Sequence, residues 1–536
     1  MRLTPDMAPR LLALVAALLL GAAQAAAPPE LRVALAGDAD SLDPQAAVSA
    51  PALVIAFDLF EGLYTLDNNG QPVLGAAAAV RTLEHAGGPA LEFTLRPNLR
   101  WSDGRPLTAQ DFEYSLQRLA DPATAGNMLA SYVGQIRQGD LILRGKAAPA
   151  TLGVTALDER RLRIDLVRNV AWFPAVLAFP SFAPVPRHVI EKHGRQWTRP
   201  GNHVSNGPFR LVDWQPNRLV RTEQNPYFHA VKSVRLPGVR YLPVADQNAG
   251  FRLFQSAQID TMTNFPPEKY DYILANMRRE LHIAPSLGVT AYLFNFRKPL
   301  FRDVRVRRAL ALAVDRGLLT KRIVRTGDLP AYGLVTPGLP GYPAALPAPL
   351  ATQAARTAEA RRLLAAAGFG PGRPLSFELL YHTNEEHKNV ALAVAAMWQA
   401  IGVRVTLRNA ERQAVEVAVR NGEFDMARAA LFSAYADANG LFGNFSTGHS
   451  ANVSAYSNPA FDGAIGRAEA VPSAGADRAA LQRDAERQLI ADQAFVPLYF
   501  MTSRRLVAQR VSGWSDQNLT ALRPARYLDV VTAPAR

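Results

Sequence analysis

The most constraining stretch of this sequence is Trp101–Leu119, which holds a strand end, a tight turn and a helix start in nineteen residues. Upstream, Leu91, Phe93 and Leu95 alternate with Glu92 and Thr94, the two-residue period of a half-buried strand. Ser102-Asp103-Gly104 supplies turn chemistry, since Asp bonds its own backbone and Gly accepts positive φ. Thr108 is placed to cap a helix, with Asp111 three residues on near the positive end of the helix dipole. Phe112, Leu116 and Leu119 then fall at i, i+4 and i+7, one apolar face. Further along, Leu31–Leu35 and Leu162–Leu166 read as strands, and Val304–Val324 as helical. Glu359–Ala367 reads as a helix stopped by Gly368, Leu375–Tyr381 as a strand and Phe495–Tyr499 as a buried strand.

At 536 residues and 49% apolar, the chain is long enough for two or three cores and too long for one domain. Its formal charge of +13 would suit an anionic partner, but Lys and Arg are scattered. The densest group, Arg302–Arg308, sits within an apolar-periodic stretch and reads as a solvated helix face, so no nucleic-acid footprint is expected. Arg2, Arg10, the apolar run Leu11–Leu20 and Ala23-Gln24-Ala25 make residues 1–25 a cleavable secretory signal, too short in its apolar part to stay in a bilayer. There is no cysteine, which excludes disulfides, thiolate metal sites, a Cys nucleophile and a lipid-modified N-terminal Cys. A soluble periplasmic protein without a lipid anchor is expected.

No catalytic motif is present: no Gly-x-Ser-x-Gly, no His-Glu-x-x-His and no phosphate-binding Gly-x-x-x-x-Gly-Lys-Ser/Thr loop. His382 and His387 are five apart, expected on different helix faces, so no shared metal is expected. Glu385-Glu386 and Asp111-Glu113 lie on patterns that read as solvent-facing. Neither enzymatic activity nor a cofactor is called for.

A set of short motifs in fixed order carries a more specific signal. Ser41-Leu-Asp-Pro and Asp58-Leu-Phe-Glu-Gly-Leu precede Trp101-Ser-Asp-Gly-Arg-Pro-Leu-Thr-Ala-Gln-Asp-Phe and Gln117-Arg-Leu-Ala-Asp-Pro. Asn225-Pro-Tyr-Phe, Gln258-Ile-Asp-Thr, Asp303-Val-Arg-Val-Arg and Phe424–Tyr435 follow. Together they resemble the solute-binding family 5 of ABC importers, the large peptide-binding proteins, over nearly the whole mature chain. The resemblance implies an α/β, periplasmic binding protein type II-like fold: two lobes with a hinge, in three domains. Domain I would take 26–60, 187–285 and 501–536; domain II, an extension of the same lobe, 61–186; domain III, the second lobe, 286–500. It also implies capture of a peptide in the cleft and delivery to an inner-membrane ABC permease, by a monomer. In that family the peptide adds as a strand, and its charged ends meet oppositely charged side chains.

Carried over residue by residue, the resemblance places ligand contacts at Val48, Ser49 and Ala50 on one side and Ala430, Leu431 and Phe432 on the other. Met128, Asn206, Asn264, Arg428, Tyr435 and Asp437 complete the expected ligand-binding set. Arg428 either touches ligand or is held in an ion pair with Asp425 or Asp437. The family aspartate that pairs with the peptide's α-amino group is Ala434 here. Either Asp437 takes over that role or the ligand carries no free amine at that place, because a buried ammonium needs a partner. Val48 stands where the family has Glu, Met128 and Thr263 where it has Tyr, and its cysteine pair falls on Gly288 and Phe432. A cell-wall-derived or non-peptide ligand, or chaperone activity in the periplasm, are the alternatives.

Overall fold

In the computed structural model the described residues are 29–85, 87–124, 128–342, 346–471, 475–520 and 522–531. The expected signal segment lies outside them. The Trp101–Leu119 stretch folds as its local chemistry dictates. The Trp101 N–H donates to Arg105 O and the Gly104 N–H to Trp101 O, both at 2.9 Å, with Gly104 at φ 87°. Thr108 and Asp111 form a capping box, the Thr108 N–H reaching Asp111 Oδ2 at 2.8 Å. The helix Ala109–Ala120 buries Phe112, Leu116 and Leu119 completely.

That helix covers a four-stranded antiparallel sheet in the order Ala77–His85, Gly88–Leu95, Arg161–Asp165, Val154–Ala156. Phe93, Trp101, Phe112, Leu162, Ile164 and Phe173 form the centre of its core. Glu92 breaks the expected outward alternation: it is buried because Arg81 on the neighbouring strand pairs with it at 2.7 Å.

Among the described residues the main sheet has eleven strands, one of them the short Leu329–Pro330 paired at the side of Phe495–Val507. One half contains Phe209–Gln215, Leu219–Gln224, Gly238–Pro243, Leu31–Leu35 and Thr261–Thr263. The other half contains Met426–Phe432, Leu375–His382 and Val403–Ala410. Two long antiparallel strands, Leu281–Phe294 and Phe495–Val507, join the halves. Their N- and C-terminal ends belong to different cores: Leu281 and Leu506 pack with Phe251 and Ile259, whereas Tyr292 and Val496 pack with Trp398 and Phe377. Between those ends the register breaks. Pro285 pairs with Thr502 and Val289 with Phe500, so Ser286, Leu287 and Gly288 stand opposite Met501 alone.

The expected helix over Val304–Val324 is interrupted. Val304–Ala313 ends where Asp315 begins a new turn, its carboxylate capping Leu318 N at 2.9 Å. Arg316 fills the break, its buried guanidinium donating to Ala311 O, Val314 O and Pro497 O. The expected helix Glu359–Ala367 begins earlier, at Gln353, and the strand Phe495–Tyr499 runs on to Val507. Among the described residues no helix is long and apolar enough to cross a membrane.

Candidate ligand-binding cleft

A cavity of about 660 Å³ opens between the halves of the main sheet and the smaller sheet. Its walls come from Leu31–Ala36, Ala47–Val54, Thr261–Asn264, Phe432–Ala434 and the C-terminal segment around Trp514–Leu528, with Leu129 and Phe179 from the smaller domain. A larger groove of about 930 Å³ lies between the helices Val304–Ala313 and Gln353–Ala366, and no residue of the expected ligand set lines it.

Of that set, Val48, Ser49, Ala50, Asn264 and Phe432 line the cleft together. Val48 and Phe432 are 67% and 59% exposed, large apolar side chains left bare within a concave surface. Ser49 caps the helix Ala50–Leu59, accepting from Ala52 N at 3.2 Å. Asp40 receives the N–H groups of Val48 (2.9 Å) and Ser49 (3.0 Å), so strand-like contacts from this wall lose both of those donors. Asn264 sits in left-handed conformation, φ 56°, with its N–H on Arg504 O at 3.1 Å.

The strand Met426–Phe432 reaches the cavity only at its end: Phe432 lines it, and Arg428, Ala430 and Leu431 of the expected set do not. On one edge the strand pairs with Gly288–Phe294 along its full length; on the other it pairs with Leu375–His382 only at Met426 and Ala427. From Arg428 to Phe432 the outer edge has no partner strand among the described residues. Strand alternation turns Arg428, Ala430 and Phe432 to one face and Ala429 and Leu431 to the other. Leu431 is buried with Leu287, Val289 and Phe442, so its side chain is not a cleft contact and only its backbone faces the free edge.

Arg428 makes neither of the expected ion pairs. Asp425 is held by Lys298 at 3.1 Å, and Asp437 by Arg478 and by Gln482 Nε2 at 3.0 Å. Among the described residues no carboxylate lies within ion-pair distance of Arg428, which leaves a partly buried guanidinium unneutralised. Tyr292 is its cross-strand neighbour, with a buried hydroxyl lacking a hydrogen-bond partner. His387 Nδ1 is likewise buried and unpartnered. Burial, then the Arg428 charge, then His382 push His387 down to about 4, so it is neutral at pH 7. His382 ends a strand and His387 lies on the following helix, Glu385–Gln399, with ring centroids 5.6 Å apart. The two are therefore neighbours, not residues on opposite faces of one helix. An uncompensated cation beside idle hydrogen-bonding groups is chemistry suited to a carboxylate.

Three further members of the expected set serve the scaffold. Asn206 is buried, its amide accepting from Glu61 N at 3.1 Å and donating to Glu61 O at 2.7 Å. Tyr435 is buried, stacked on Trp172 (5.3 Å) and edge-on to Tyr132 (5.8 Å), so it ties the second lobe to the smaller domain. Asp437 spends its carboxylate on Arg478, Gln482 and Asn439 N, so it is not offered to an amine in the cleft. Ala434 lines the cleft and packs against the core of the smaller domain. The Met128 side chain lies outside the described residues. Residue patterns missed Tyr292 beside Arg428 and the lining residues Arg505, Trp514 and Arg523, each from a segment whose local signal is only strand or loop.

The sequence profile of the bacterial extracellular solute-binding proteins, family 5, matches residues 77–452. The periplasmic oligopeptide-binding protein OppA of Escherichia coli K12 is 37% identical over 487 residues, 90% of this chain and 89% of that one. The periplasmic murein peptide-binding protein MppA of the same organism is 35% identical over 496 residues, 92% and 91% of the two chains. A solved structure of MppA in its unliganded open form matches with a TM-score of 0.85 at 33% identity, covering 94% of this chain and 98% of that one. The two-halved sheet, the open strand edge that reaches its cleft and these likenesses agree, and the chain belongs to the family 5 solute-binding proteins, with the type II periplasmic binding fold.

Proposed function

We propose that this protein is the periplasmic capture component of an ABC importer, taking a peptide or peptide-like ligand into the cleft and handing it to an inner-membrane permease. The observation that carries this reading is the free outer edge of Arg428–Phe432, which runs from the unneutralised Arg428 to Phe432 in the cleft lining. A peptide laid along that edge gains main-chain hydrogen bonds regardless of its sequence, and a carboxylate near Arg428 sets its register. The exposed Val48 and Phe432 would cover ligand side chains of varied shape.

Closure would bend the two long strands where their register breaks, at Pro285–Gly288 opposite Met501, because that stretch lacks a continuous hydrogen-bond ladder. The domain limits at 60/61, 186/187, 285/286 and 500/501 belong to the same proposal, as do export by the N-terminal signal, absence of a lipid anchor and a monomeric state.

The test is a thermal-shift screen of the mature protein against di- to hexapeptides. A ligand at 100 times its dissociation constant adds about 2.7 kcal/mol of apparent stability. Stabilisation by free-acid peptides and not by their C-terminal amides supports the reading. A panel that leaves the melting point unchanged would overturn it.

A further inference from the structure

The groove of about 930 Å³ shares no lining residue with the cleft. Its sides are the helices Val304–Ala313 and Gln353–Ala366, the end of the helix Ala476–Ala491 and the segment reaching Leu350. Two cores meet here: Leu312 and Leu363 pack on the core of Trp398, and Ile490 packs on that of Phe442. All three are nevertheless only half-buried, and Leu350 is 38% exposed. Apolar surface left open in a concavity of this volume suits a small ligand.

The charged groups lining the groove are four arginines, 308, 316, 362 and 487, against one carboxylate, Glu359. Glu359 is spent on Arg362 at 2.7 Å, and Arg487 meets Asp484 at 3.2 Å. Both arginines are largely in solvent, and such pairs are weak enough to be exchanged for another acid. Arg308 is exposed and has no ion-pair partner among the described residues. Arg316 is buried yet lines the groove, its guanidinium 4.8 Å from the Tyr332 ring centroid. Its Nε and Nη1 donate to Pro497 O (2.8 Å), Ala311 O (3.0 Å) and Val314 O (3.1 Å), while Nη2 has no hydrogen-bond partner among the described residues. Arg356, itself buried, lies over the same ring at 5.8 Å. Burial pushes Arg316 down to about 10, so it stays charged at pH 7.

We propose that this groove is a second ligand site, apart from the cleft, for a single-chain amphipathic carboxylate of the fatty-acid class. Its chain lies on Leu312, Leu363 and Ile490, and its acid sits among the arginines. The buried Arg316 favours a small head group over a protein surface, since only a group that enters the groove reaches it. The site does not depend on the peptide reading.

Isothermal titration calorimetry of the mature protein with monomeric dodecanoate tests this. Dodecanoate should bind at least about 10-fold tighter than dodecyltrimethylammonium, which has the same chain and the opposite charge, and the gap should shrink at high salt. A dodecanoate with a diazirine at its chain end, mapped by mass spectrometry after illumination, should label Val304–Ala313, Gln353–Ala366 or Ala476–Ala491. A358W, which fills the groove from an exposed position, should weaken dodecanoate at least about 10-fold. Equal affinity for the two amphiphiles, label confined to the cleft lining around Val48 and Phe432, or undiminished binding in folded A358W overturns the second site. Binding to anionic vesicles without binding of monomeric dodecanoate also overturns it, and would make the groove a membrane-contact face. The wild-type comparison and the labelling map stand even where A358W fails to fold.

Discussion

Gly288 and Phe432 face each other across an antiparallel strand pair that reaches the cleft at Phe432, and a Cβ built on Gly288 would lie 3.2 Å from Phe432 Cβ. The family's cysteine pair maps onto these two positions, and they are register partners here. A disulfide needs Cβ atoms about 3.5–4.5 Å apart, a few tenths of an ångström more than this pair offers. The double variant G288C/F432C should therefore lose both free thiols on oxidation and gain about 2–4 kcal/mol. Thiol titration and melting with and without reductant check it. G288A alone should destabilise, since its Cβ would also meet Met501 Sδ at 3.0 Å and Leu431 O at 3.2 Å.

Asp437 supports the fold through Arg478, which is buried and has its charge answered by that carboxylate. Removing the acid leaves a buried cation alone. D437A should cost about 3–5 kcal/mol in urea unfolding, with m unchanged. A variant of undiminished stability that lost affinity for free-amine peptides would return Asp437 to the ligand.

Arg428 has the opposite character: a charge without a partner in the free protein. R428Q should leave stability unchanged or raise it slightly, yet weaken free-acid peptides at least about 10-fold while sparing their C-terminal amides. It should also raise the His387 pKa, because the Arg428 charge is the second cause holding it down. NMR titration of the histidine ring reads that shift.

His387 makes stability fall in acid. Its folded pKa of about 4 lies below the ordinary histidine value of 6.5, so the unfolded chain takes up the proton first. Its contribution is complete above pH 6.5, is lost as pH falls toward 4, and changes no further below that. His382 shifts in the same direction. Urea midpoints from pH 7.5 to 4 should fall less steeply in H387Q than in the wild type.

Short-range chemistry was legible without the fold. The turn at Trp101–Arg105, the Thr108–Asp111 capping box and the apolar face of Ala109–Ala120 depend on groups within one or two turns of each other, and they formed as the sequence specifies. The ordered motifs were enough to indicate the family and the α/β class. Long-range pairing decided the rest. Tyr292 reaches Arg428, and Arg478 reaches Asp437, only through packing between distant segments, so no local pattern reveals which cation is neutralised. His382 and His387 became neighbours because a strand ends and a helix begins between them, which a five-residue spacing does not disclose. The free edge at Arg428–Phe432 exists because Leu375–His382 stops pairing after Ala427, a matter of register. Local free energies select elements; which charges, rings and backbone edges are left unsatisfied is settled only when the elements pack.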